Sequence, residues 1–113
     1  NPFVTKILEN LYLGDLETAS NKKFIQEEQI TYVLNCAWEV KYTPPKEVQY
    51  LHLKGPADKY FDEATEFIHK ALSSGNKILV HCKWGVDKSP TINSLLILTY
   101  LKYKVVASQL VKD

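Results

Sequence analysis

A chain of 113 residues has room for one domain around one hydrophobic core, and none for a second. Its 45% hydrophobic and 24% charged residues are ordinary for a folded protein, and no repeat, linker or low-complexity segment interrupts them. A formal net charge of +1 excludes global steering towards nucleic acid or a membrane surface, so any preference for anions must come from a local site.

Asn1-Pro2-Phe3 lacks the basic and apolar regions of a signal peptide and lacks an initiator Met, so the chain reads as a piece of something longer. Ile7-Leu8-Glu9-Asn10-Leu11-Tyr12-Leu13-Gly14 reads as two short strands about a Glu-Asn turn. Ser20 is expected to cap a helix that carries Phe24 and Ile25. Thr31 to Cys36 is a compact apolar run, expected as a buried strand. Trp38 to Pro45 is expected as a loop, since Pro44-Pro45 stops any regular element. Val48 to Leu53 forms the next expected strand, with a turn over Lys54 to Asp58.

Phe61, Ala64, Phe67, Ile68, Ala71 and Leu72 mark one face of a helix that Gly75 ends. Lys77 to Val80 is a short apolar strand running into His81-Cys82. Ile92, Leu95, Leu96, Thr99, Tyr100 and Tyr103 then follow helical spacing, with Pro90 in the first turn, where a missing N–H does no harm. The longest apolar stretch, Leu95 to Leu98, is far shorter than a membrane span. Strands alternating with helices predict an α/β fold, a sheet covered on both faces.

Two cysteines, Cys36 and Cys82, close runs that read as buried strands; they make no disulfide framework and suit reduced thiols in the cytoplasm or nucleus. Cys36 reads as a core thiol, with a redox partnership to Cys82 as the alternative. Cys82 stands at a junction where a buried strand ends, six residues of tight loop follow and a helix starts. Backbone N–H groups at such a junction are unpaired and point inwards, which suits a phosphate-sized anion. The same field lowers the pKa of a thiol there and makes it a nucleophile. Gly85 gives the loop freedom to curl, and the Ser89 hydroxyl is placed to donate to the sulfur. No metal-ligand spacing joins His52, His69, His81, Cys36 and Cys82.

His81-Cys82-Lys83-Trp84-Gly85-Val86-Asp87-Lys88-Ser89 resembles the His-Cys-x-x-Gly-x-x-Arg-Ser signature of the dual-specificity and tyrosine phosphatase superfamily, most of all its slingshot and MAP-kinase phosphatase branch. Ile7 to Gly14, Ala19-Ser20-Asn21 and Ile30 to Asn35 resemble that family's opening. The resemblance implies a twisted, mostly parallel central sheet flanked by helices, with the phosphate-binding loop between a strand over 77–81 and a helix over 89–103. It implies Cys82 as nucleophile and the amides of Lys83, Trp84, Gly85, Val86, Asp87 and Lys88 around the phosphate. His81 would hydrogen-bond the loop backbone. The implied partner is a protein phosphorylated on tyrosine, serine or threonine, with no cofactor, metal, nucleic acid or membrane insertion; oligomeric state stays open. By the family's pattern a further helix and an Arg-Pro turn should follow Val111, and neither is present.

Two departures bear on activity. The signature arginine is matched by Lys88, which offers the same charge as one flexible donor instead of a planar fork. Asp87 beside it opposes a dianion unless it turns outwards or pairs with Lys88. In the family an aspartate in the loop after the strand matching Val48 to Leu53 acts as general acid; Gly55 falls near that place, and the loop is short. Asp58 is the carboxylate on hand, either as that acid or, as the simpler reading, the N-cap of the Phe61 helix. Three functions follow: a phosphatase of much reduced activity, a pseudophosphatase that binds phosphoproteins or partners, and a phosphoinositide phosphatase hinted at by Lys83. Exposed Trp38 and Trp84 beside the pocket would suit an aromatic substrate or a protein partner.

Overall fold

A computed structural model describes residues 4–41, 43–55 and 59–81. Strands β1 (Thr5–Leu8) and β2 (Leu11–Gly14) form an antiparallel hairpin about Glu9 and Asn10. Helices α1 (Leu16–Ser20) and α2 (Lys22–Glu27) lead to β3 (Ile30–Asn35) and β4 (Gln49–His52). Helix α3 (Phe61–Ser73) and β5 (Lys77–His81) complete the described elements. The sheet order is β1-β2-β5-β3-β4, with every pair parallel except β1 and β2. The mostly parallel sheet that the family resemblance implies is therefore present.

Strand β5 lies between β2 and β3, and its Ile78, Leu79 and Val80 are fully buried. A central parallel strand is covered on both faces, which is why its apolar residues run without alternation. On one face Leu11, Leu34, Ile78 and Val80 pack with Ala64, Ile68 and Ala71 of α3. On the other, Tyr12, Val33 and Leu79 pack with Ala19 of α1 and Ile25 of α2. A register shift between Ile30 and Tyr32 turns Ile30 to the second cluster while Tyr32 joins the first.

Two expected caps are corrected. Ser20 is the last residue of α1 and caps nothing; Asn21 caps α2, its side chain accepting from the Phe24 N–H at 3.1 Å. Asn21 is extended and its own N–H closes α1 on Thr18 O, so one residue ends one helix and starts the next. Helix α1 has its own cap, Asp15, which accepts from both the N–H and the hydroxyl of Thr18 at 2.9 Å. The N-cap of α3 is Tyr60, without a side-chain hydrogen bond, and not Asp58; Asp62 and Glu63 in the first turn suit the helix dipole instead.

Gly75 does end α3. It has φ +77, its N–H donates to Leu72 O at 3.1 Å, and the Asn76 N–H donates to Ala71 O at 2.9 Å. This is the paired-carbonyl termination that favours glycine in the left-handed region. A Cβ at Gly75 would meet nothing within 4 Å, so backbone strain alone opposes it. Gly75→Ala is expected to lower stability by roughly 1–2 kcal/mol, read as a fall in the urea midpoint at constant m-value.

Candidate active site

Strand β5 carries the chain to the C-terminal edge of the sheet and stops at His81, which is fully buried. In register beside it stand Gly14 of β2 and Asn35 of β3, with His52 of β4 one strand further. These residues lie two positions beyond Tyr12, Leu79, Val33 and Tyr50, so the row shares the face covered by α1 and α2. The ladder continues past it: the Cys36 N–H donates to His81 O at 2.8 Å, and the Leu53 N–H to Asn35 O at 3.0 Å. The end of β5 is thus braced by its neighbours at the point where the chain passes to Cys82.

Asn35 organises this edge. Fully buried, its Oδ1 accepts from the Ala37 N–H at 2.8 Å, while Nδ2 donates to Val40 O at 3.0 Å and to the Tyr50 hydroxyl at 2.9 Å. A carbonyl only accepts and an amide N–H only donates, so these partners fix the way the side chain points. Burial pushes the Tyr50 hydroxyl pKa up, and the hydrogen bond from Asn35 partly offsets that. His52 Nε2 lies 3.1 Å from Ala37 O, which requires the hydrogen to be on Nε2. The Val40 N–H closes on Ala37 O at 2.9 Å, making residues 37–40 a tied turn. Sequence reading missed Asn35 and His52 in this role; the available signal was a lone amide closing an apolar run, since a buried polar group demands partners.

Cys36 is buried in the α3-side cluster with Leu34 and Leu53, in keeping with a core thiol. His81 is the one residue of the signature among the described residues. Cys82, Lys83, Trp84, Gly85, Val86, Asp87, Lys88 and Ser89, the helix expected over 89–103, and Asp58 lie outside them. Gly55 is buried, and a Cβ there would come within 2.7 Å of Tyr60 Cε2. The place expected for the general acid therefore has no space for a carboxylate unless the Tyr60 ring shifts. His69 lies on α3 with Asp62, Thr65 and Glu66 along a cavity of about 380 Å³, on a different element from His52 and His81. Among the described residues no three metal-ligating side chains gather, and no helix is long and apolar enough to cross a membrane.

The family described as dual specificity phosphatase, catalytic domain, matches residues 11–113. The chain belongs to that family. Among curated dual specificity phosphatases it is 35% identical over 121 aligned positions to Dual specificity protein phosphatase 26 of Rattus norvegicus, covering 96% of this chain and 57% of that protein. It is 34% identical over 94 positions to Protein phosphatase Slingshot of Drosophila melanogaster, covering 78% of this chain and 9% of that protein. The chain thus spans only part of these relatives. The crystal structure of DUSP15 superposes with a TM-score of 0.75 at 27% identity, over 85% of this chain and 65% of that one. The fold is that of the dual specificity phosphatases, and the sequence motif of this chain begins at His81, where β5 ends.

Proposed function

We propose that this chain is a cysteine-dependent protein phosphatase domain of low turnover. The observation that carries the reading is the termination of the central strand at buried His81, with signature Cys82 as the next residue. Membership of the phosphatase family supports it. The Cys82 thiolate attacks phosphorus, the bond to the leaving oxygen breaks, and water then hydrolyses the phosphocysteine to inorganic phosphate. The amides of 83–88 and the charge of Lys88 hold the phosphoryl oxygens, and Ser89 donates to the sulfur. His81 orients the loop backbone. Asp58, or water in its place, protonates the leaving oxygen. The substrate is a protein phosphorylated on tyrosine, serine or threonine, met in a reducing compartment.

Lys88 and the occupied space at Gly55 favour a second reading, a pseudophosphatase that binds phosphoproteins without turning them over. Both readings require an anion-holding loop; a phosphoinositide substrate finds less support, with Val86 where a second loop lysine would be wanted.

Alkylation near neutral pH tests the loop. Cys82 is expected to react markedly faster than buried Cys36, and vanadate to protect it. Because burial alone slows Cys36, protection is the deciding part. Cys82 reactivity indifferent to vanadate would refute an anion-holding site and both readings with it.

A further inference from the structure

We infer that Trp38 is a specificity-determining residue, whose indole packs against the polypeptide beside the phosphorylated side chain of the substrate. The inference rests on the phosphatase reading of the neighbouring strand end. Trp38 is 48% exposed, the one large hydrophobic side chain so exposed among the described residues. An aromatic of this size left in water forgoes a large burial, and such residues anchor protein interfaces when a partner covers them.

Its place in the fold gives it that partner. Trp38 follows by two residues Cys36, whose N–H is bonded to His81 O. Two residues of chain reach at most about 7 Å, so the indole springs from the same sheet edge that delivers the nucleophile. A phosphorylated side chain entering from that edge brings its own backbone with it.

The turn under Trp38 is stiff. Asn35 bonds both its ends, Ala37 N–H and Val40 O; His52 holds Ala37 O from β4; and the Val40 N–H closes the turn. Four hydrogen bonds, two of them made by fully buried Asn35, fix the backbone of a turn whose second residue is the half-exposed Trp38. A side chain presented from a fixed backbone loses less entropy on binding, which is how a single aromatic contributes to affinity. Flanking Glu39 and Lys41 are also exposed and of opposite charge, so the contact offered is chiefly apolar.

The test uses the Cys82→Ser chain, expected to bind without turnover, with and without Trp38→Ala. The probes are a fluorescent pool of phosphotyrosine peptides with mixed flanking residues, and vanadate as competitor. Trp38→Ala is expected to weaken peptide binding roughly tenfold or more while vanadate affinity holds, with Trp38→Phe retaining most of the peptide affinity. Unchanged peptide affinity would overturn the inference, and so would equal weakening of both probes, which marks a structural role. Failure of the Cys82→Ser parent to bind either probe would remove the phosphatase reading first, and this inference with it.

Discussion

Lys88→Arg is expected to raise turnover of a small aryl phosphate by roughly 10²–10³, with most of the gain in kcat. Arginine grips two equatorial oxygens with a rigid fork, and that grip strengthens as the transferred phosphoryl group flattens; lysine supplies charge to ground state and transition state alike. The KM should therefore change little, since the attracting charge is already present. Cys82→Ser in the same background should abolish the gain and leave phosphate binding largely in place. The restored enzyme should still fall short of a complete phosphatase. With Tyr60 against Gly55, an acid cannot be added there by simple substitution, and Gly55→Asp would have to displace the ring. If Lys88→Arg binds phosphate yet stays inactive, the lack of an acid at Gly55 becomes the main defect and the binding-module reading gains.

Asn35→Asp is expected to destabilise the fold by roughly 3–5 kcal/mol at neutral pH, a large share of the stability of a small domain. The substitution keeps shape and opens no cavity. It removes both donors and sets a carboxylate against Val40 O and the Tyr50 hydroxyl in a fully buried place. Tyr50 can turn its own hydrogen to the new oxygen, but Val40 O cannot. The new carboxyl is favoured protonated in the fold, so its pKa is raised there above the unfolded value of about 3.9. By linkage, the deficit is smallest below that value, opens as pH rises through it, and stops growing above the folded-state pKa. Urea unfolding of both proteins across acid to neutral pH would show this; a deficit independent of pH would contradict it.

The elements that carry the site were legible because their signals are local. Ile78, Leu79 and Val80 form an unbroken apolar run ending in His-Cys, and β5 follows it as the central strand. Ala64, Ile68 and Ala71 have helical spacing, and Gly75 closes that helix in the way its conformational freedom predicts. Less legible was anything set by a neighbour. The spacing of Phe24 and Ile25 points to a helix but not to which of Ser20 and Asn21 starts it, since either side chain can accept the capping bond. Helix α1 is only one turn long, too short for a periodic signal. Asp58 was an attractive cap by residue type, yet the chain enters α3 at Tyr60, whose ring is held against Gly55. Asn35 owes its role to partners at Ala37, Val40 and Tyr50, which only the turn and the adjacent strand bring within reach. The proposed nucleophile, Cys82, lies outside the described residues and rests on the motif, whose chemistry needs a fixed spacing of residue types.

The covalent intermediate is the most direct test of the account. The native chain is mixed with an aryl phosphate, stopped by a rapid denaturing quench and digested for mass spectrometry. The account predicts phosphate on the peptide that contains Cys82, none on the peptide that contains Cys36, and neither adduct nor turnover in Cys82→Ser. Release of the aryl alcohol by Cys82→Ser at the native rate, or a native chain that binds vanadate yet never carries phosphate on Cys82, would contradict it.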